Sequence, residues 1–282
     1  MNKVAIVTDS TAYLPQSYID DLSINVVPLS LNWEGKNYRD GIDIQPNEFY
    51  TRLAKSSTLP TTSQATVKDF ADVFKKLIDE GYSILTMPIS SGISGTINSA
   101  IQAKAMFPKA PIEVIETKLV SMALGFQVLA AARAAKGGEV LEEVKRVALE
   151  AYSHIGVYFV VDTLKYLHAG GRIGSAKRWL GAALKIKPVL EIRDGKIEAV
   201  KSVITFSKAL DAMIELIDQD VQGKSPIRIS VFHALADEAA KKLEERTTEH
   251  FHPVESIPSF VSPVIGCHVG PGTISIAYMA GM

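Results

Sequence analysis

The chain is poor in the residues from which most metal and redox sites are built. It holds one cysteine, Cys267, among 282 residues. That excludes an internal disulfide and any zinc site made from several cysteines. No lysine or arginine neighbours Cys267 in the sequence, so it reads as a packed core residue rather than an activated thiolate. Neither sign of charge dominates. The 30 Lys and Arg stand against 31 Asp and Glu, a formal net charge of -1, which removes any global pull on nucleic acid or an anionic membrane. Aromatics are only 7%. Near the basic residues 165–187 they are Tyr166 and Trp179 alone, too few for the stacking platforms of a single-strand binder. No apolar run approaches the ~20 residues needed to span a bilayer. The opening residues, Met1 to Asp9, lack the apolar core and cleavage site of a secretory signal. The expectation is a cytoplasmic protein with no stable membrane insertion.

What is present is an ordinary globular composition, 47% hydrophobic and 22% charged, on a chain long enough for two packed domains. The first half alternates strand-like and helix-like patterns. Apolar runs at 3–8, 24–31, 83–88 and 112–115 predict strands. Helical spacing covers 14–22, 46–55, 66–80, 96–107, 119–136 and 139–152. Residues 33–44 read as an irregular or hairpin excursion. This alternation predicts a parallel, Rossmann-like sheet covered on both faces. The second half mixes hairpins with helices. Strands are predicted at 156–161, 186–192, 196–200, 227–232, 254–258 and 274–279, and helices near 163–168, 175–184, 206–221 and 234–247. Arg193-Asp194-Gly195 carries a strong hairpin signal. The second half therefore reads as an α+β two-layer domain. The division is placed near Tyr158, giving an α/β domain over 1–158 and an α+β domain over 159–282.

Three clusters of small, hydroxylated and glycyl residues carry the chemistry: Thr61-Thr62-Ser63-Gln64, Ser90-Ser91-Gly92-Ile93-Ser94-Gly95-Thr96, and His268-Val269-Gly270-Pro271-Gly272-Thr273. None contains a carboxylate, lysine or arginine. Together they suit a small anionic head held by neutral donors. The serine loop leaves a strand end and opens a helix, where free N–H groups and the positive dipole end favour an anion. Read locally, Ser94 also serves as a plain helix cap, and Thr61–Gln64 as an N-cap region before the next helix. The Gly-Lys-Ser/Thr ending of a phosphate loop is missing, which argues against a nucleotide. A lone His268 is either structural or a donor to a carboxylate. Asp9, at the end of the first strand, has no companion acids for magnesium and reads as a cap. Arg172, framed by Gly170, Gly171 and Gly174, opens a basic segment with Lys177, Arg178, Lys185 and Lys187. A solvated face and a docking face for an acidic or phosphorylated partner both fit that segment.

In this order the clusters resemble the DegV family of bacterial fatty-acid-binding proteins. Val7-Thr8-Asp9-Ser10-Thr11, Val27-Pro28-Leu29-Ser30, Gly170-Gly171-Arg172-Ile173 and Ile186-Lys187-Pro188-Val189-Leu190 complete the match, which spans almost the whole chain. The resemblance implies a long-chain fatty acid held between two domains as a ligand, without cofactor, metal or catalytic residue. Its carboxylate would lie at Thr62, Ser94 and His268, supported by Ser63, Ser91 and Gly95. The protein would be a carrier rather than an enzyme. It would present the carboxylate to a separate ATP-dependent fatty acid kinase, with Arg172 facing the kinase or the phosphate. The acyl phosphate would then pass to phospholipid synthesis. Ile204 stands where relatives often carry an arginine, Ala65 where a proline is frequent, and Ile274-Ser275 lacks a glycine common there. Two alternatives come from other classes. One is a small-molecule phosphotransferase or hydrolase using Asp9 or His268. The other is a regulatory module with a basic docking face.

Overall fold

The computed structural model describes residues 3–181 and 186–282. The first half runs β1 (Val4–Asp9), α1 (Gln16–Asp21), β2 (Asn25–Val27), β3 (Ser30–Trp33), β4 (Lys36–Arg39), α2 (Pro46–Leu53), β5 (Thr61–Ser63), α3 (Val67–Asp79), β6 (Ser83–Met87), α4 (Thr96–Ala105), β7 (Ile112–Val114), α5 (Ser121–Lys136) and α6 (Leu141–Ala151). The second half runs β8 (Ile155–Val160), α7 (Lys165–Ala169), β9 (Lys187–Arg193), β10 (Lys196–Val203), α8 (Phe206–Val221), β11 (Ile227–His233), α9 (Asp237–Phe251), β12 (Glu255–Ser256), β13 (Ser259–Phe260), α10 (Pro263–Val269) and β14 (Ile274–Ala280).

The expected architecture is present. A parallel sheet has the order β2-β1-β6-β7, and a separate mixed sheet runs β10-β9-β8-β14-β11-β12, with β13 also on β11. The periodic elements form for the reasons their sequences suggest. Thr66 and Asp69 close a capping box at the start of α3, and Gly81, at φ +83°, ends the turn beyond it. Thr205 caps α8 by accepting from the Lys208 N–H. Asp194 and Gly195 both take positive φ, 48° and 78°, at the β9–β10 bend, as a tight hairpin turn requires.

The chain changes sheets at the turn Tyr152–His154, within a few residues of Tyr158 in β8. Two expectations need correction. Residues 30–63 build a small third sheet, β4-β3-β5. Thr61–Ser63 is thus a strand paired antiparallel with β3, and the cap of α3 is Thr66. The expected basic helix over 175–184 is a short 3-10 segment at Gly174–Trp179. Its hydrogen bonds close at i to i+3, as in Ala176 N–H to Ile173 O, and residues 182–185 lie outside the described residues.

Helix α5 joins the two halves. From Ser121 to Ala132 every residue is buried. It packs on β1 on one side and on β8 and β14 on the other. Alanines at 123, 130, 131 and 132 favour the helix and let both sheets approach closely. The large mixed sheet alternates accordingly. Val157, Phe159, Phe232 and Ala277 face the core shared with the first half, whereas Val160, Val231, Ile276 and Tyr278 pack under α8 and α9.

At the carboxyl end of β1, where an open α/β sheet usually receives a ligand, Asp9 is engaged by the chain itself. The Asp9 carboxylate accepts from the Thr11 N–H at 2.9 Å, the Thr11 hydroxyl at 2.6 Å and the Ile89 N–H at 2.7 Å. Burial raises its pKa, and the three donors offset part of that. Asp9 is a strut with no exposed face, so the phosphotransferase reading loses its nucleophile. Replacing Asp9 by Ala leaves two buried N–H groups without acceptors, and the expected loss of unfolding free energy is about 2–4 kcal/mol in chemical denaturation. A variant of unchanged stability would show that water takes over those bonds.

Candidate functional site

Each polar cluster reaches the site by a local rule. Along β5 side chains alternate, so Thr62 turns inward while Thr61 and Ser63 remain exposed. The register opposite β3 pairs Thr62 with Leu31 and fixes its depth. Ser94 lies in the loop after β6, where the Ile93 and Ser94 N–H groups both bond back to Ser90 O. Its hydroxyl lies 2.9 Å from Thr96 Oγ1, just ahead of α4. Gly95 lets these two clusters meet, because a Cβ there would sit 2.1 Å from Gln64 Oε1. Gln64 in turn donates to Ser99 Oγ at 2.8 Å, binding the end of β5 to α4.

His268 comes from α10, which starts at the Ser262 cap and Pro263. The imidazole Nε2 is 2.9 Å from Thr62 Oγ1, so a hydrogen bond between the two halves sits within the site. The other nitrogen, Nδ1, is buried without a partner among the described residues. It lies against Gly170, where a Cβ would come within 2.1 Å of it. An orphan acceptor is cheaper than an orphan N–H. The proton therefore belongs on Nε2, which donates to Thr62 and frees the threonine hydroxyl to donate onward. Burial first, and then the charge of Arg172, hold the His268 pKa down at about 4. The ring is neutral at pH 7.

Arg172 closes the mouth. Its Nε donates to Ile93 O at 3.1 Å and its Nη1 to Gly170 O at 2.7 Å. Both partners are carbonyls, so the guanidinium keeps its charge. Behind the serine loop, Ser90 Oγ donates to Gly195 O at 2.8 Å, and a Cβ on Gly92 would fall 2.4 Å from that same oxygen. The β9–β10 bend is thus seated directly on the loop.

These residues border two adjoining spaces. The outer one, about 300 Å³, is lined by Thr62, Ser63, Gln64, Ser94, Gly95 and His268 among others. The inner one is walled by apolar residues including Val157, Phe159, Ile192, Ile197, Phe232 and Val261. Ile93, Arg172, Ile265 and His268 line both. The structure therefore gathers Thr62, Ser63, Ser94, Gly95, His268 and Arg172. Ser91 stands apart, exposed, with its N–H on the Glu116 carboxylate at 3.1 Å.

Reasoning from sequence missed Asp40. This fully buried carboxylate accepts from Ser10 Oγ at 2.7 Å and from the Val264 N–H at 3.3 Å, fixing the start of α10 and so His268. Burial pushes its pKa up to about 7. No local signal marks it, since it lies in the stretch that reads as irregular. Two further members of the basic segment are engaged locally, while Lys177 is exposed. Lys187 pairs with Asp162, and Arg178 donates to Ala199 O and lies over Trp179. Lys185 is outside the described residues. Ile204 is exposed beside the α8 cap. Among the described residues no group of three or more His, Cys, Asp or Glu could hold a metal ion. No helix there is long and apolar enough to cross a membrane.

Comparison with known proteins finds relatives over almost the whole chain. The family described as "Uncharacterised protein, DegV family" matches residues 3–281. A DegV domain-containing protein of Clostridium perfringens is 35% identical over 279 residues, covering 98% of each chain. A fatty-acid-binding DegV family protein from Thermus thermophilus superposes with a TM-score of 0.94 at 33% identity, covering 99% of both chains. A stearic-acid-binding protein from Eubacterium ventriosum superposes with a TM-score of 0.92 at 26% identity, covering 100% of this chain and 99% of the other.

Two measurements check the state of His268. Nitrogen-edited NMR of the imidazole should show the neutral Nε2–H form down to about pH 5, with a midpoint near 4; a midpoint at the ordinary 6.5 would contradict the assignment. The unfolded chain takes up this proton at higher pH than the folded one. Stability therefore falls as pH drops from the unfolded pKa toward 4, by at most roughly 3 kcal/mol. The His268→Gln variant should lose that part of the slope.

Proposed function

The chain belongs to the DegV family, and from its site we propose that it holds a long-chain fatty acid between its two sheets, with the carboxylate in the outer polar space and the hydrocarbon in the inner apolar one. The observation that carries this reading is the continuity of the two spaces through Ile93, Arg172, Ile265 and His268. A fatty acid has the same two-part character. Burial of each methylene contributes ~0.8 kcal/mol, so the tail supplies most of the affinity. The head must be hydrogen-bonded, or burial will protonate it.

In this reading the Thr62 and Ser94 hydroxyls donate to the carboxylate. His268 acts one step back by donating to Thr62, which orients that hydroxyl. Arg172 supplies positive potential from the rim without clamping the head. The inner space measures about 50 Å³, room for a few water-sized groups. A long chain therefore seats only as the lining side chains turn aside.

Among the described residues no carboxylate, thiol or lysine lines the outer space, and this supports a carrier that works with a partner. We assign that partner as a cytoplasmic ATP-dependent fatty acid kinase, which meets the mouth beside Arg172 and converts the carboxylate to an acyl phosphate destined for phospholipid synthesis.

Native mass spectrometry of the purified protein should show bound lipid. The delipidated protein should take up stearic acid in titration calorimetry. Thr62→Val combined with Ser94→Ala should weaken that binding by about one to several kcal/mol. An empty protein that takes up no long-chain acid would overturn the proposal. Unchanged affinity in the double variant would place the head elsewhere.

A further inference from the structure

Away from Arg172 and His268 at its mouth and from Thr273, whose hydroxyl is spent on the Val269 and Gly270 carbonyls, the inner space has one further polar place on its wall. Helix α5 begins there, with Val120 and Ser121 among the lining residues. Its first turn is buried, Ser121 at 5% exposure and Met122 and Ala123 at 0%. A helix start leaves its first N–H groups without intrahelical acceptors, and proteins normally supply a cap. Here the N-cap position is Val120, which has no side chain able to accept. The first backbone bond of the helix is from the Leu124 N–H to Val120 O at 3.4 Å. Among the described residues no acceptor meets the N–H groups of Ser121, Met122 or Ala123. This is unusual for buried backbone.

A second, independent feature points the same way. Two hydroxyls on the wall, Ser121 and Ser275, are 5% and 3% exposed, and neither makes a hydrogen bond among the described residues. Ser275 is carried by β14 opposite Phe159 and Phe232, on the sheet face turned toward α5. Ser121 takes a left-handed backbone, φ 52°, an uncommon conformation for a residue with a Cβ. A hydrocarbon sliding past this spot satisfies none of these groups. An oxygen does, because the positive end of the α5 dipole and the free donors all call for an acceptor. The one cation on this wall, Arg172, is held by the Ile93 and Gly170 carbonyls, so a neutral oxygen fits the start of α5 better than a second carboxylate.

We infer that the start of α5, with Ser121 and Ser275, forms a polar subsite within the acyl space that selects a fatty acid bearing a hydroxyl or keto oxygen part-way along its chain. This rests on the fatty-acid reading and names its substrate class. The chain's oxygen would accept from the α5 N–H groups and from one serine. A hydroxyl would also donate to the other.

The test uses the delipidated full-length protein, with stearic acid and a set of stearic acids hydroxylated at successive carbons. At least one positional isomer should bind about tenfold or more tighter than stearic acid. That isomer alone should move the amide resonances of Ser121, Met122 and Ala123 downfield. Ser275→Ala, and separately Ser121→Ala with Ser275→Ala, should shrink the ratio between that isomer and stearic acid toward one. Stearic acid bound with no hydroxylated isomer preferred would overturn the subsite and leave the fatty-acid reading standing; ordered water would then be its occupant. A preference that survives both variants would overturn the assignment to these residues. Failure of every acid, stearic acid included, would overturn both readings.

Discussion

Helix α5 has no face left for solvent over its first three turns, and the rest of the architecture follows from that constraint. Because both sheets must cover it, the parallel sheet and the mixed sheet lie on opposite sides of one helix and share a core. The polar clusters are then brought to a common seam: Thr62 and Ser94 from one side, His268 and Arg172 from the other. The space behind them is what remains where side chains from the two sheets and the start of α5 do not fill the seam. Its apolar walls and the polar spot at the start of α5 have the same origin.

The seam handles charge sparingly. Its one histidine is kept neutral by burial, its one arginine is tied to carbonyls, and its donors are hydroxyls. Strong anion sites in α/β proteins place the ligand at a helix start beside the switch point of the sheet. Here Asp9 occupies that switch point, and the binding space has moved to the side, between the sheets. A site of this kind holds an anion by orientation and leaves the bulk of affinity to whatever lies deeper.

Much of this was legible from sequence, and the remainder had physical reasons to stay hidden. Helix α8 is plain because the Thr205 cap and the apolar period agree, and the Asp194-Gly195 bend because only a few residue pairs tolerate two positive φ values. Thr61–Ser63 misreads as a helix cap because three residues carry too little pattern to declare a strand; their conformation is imposed by β3. The stretch 175–184 looks helical by composition, yet its described part closes as 3-10 turns over Gly174–Trp179 against β10, with Gly174 pressed on Ile197 O. For the candidate site, the residue types and their order singled out Thr62, Ser94, His268 and Arg172, which border one space in the structure. The direct bond between Thr62 and His268, the support from Asp40 and the separation of Ser91 are facts of packing. They depend on residues from 25 positions apart, for Ser91 and Glu116, to 224, for Asp40 and Val264.

The contact between the serine loop and the β9–β10 bend has a consequence for how such sites are remodelled. Ser90 and Gly195 meet hydroxyl to carbonyl, and Gly92 leaves no room for a methyl group. The strands that flank this bend also supply Ile192 and Ile197 to the chamber wall. A chimera that imports another hairpin to reshape the chamber therefore imports a mismatched seat for the loop bearing Ser94. The two segments form one inheritable module, and grafts between homologues should carry them across together.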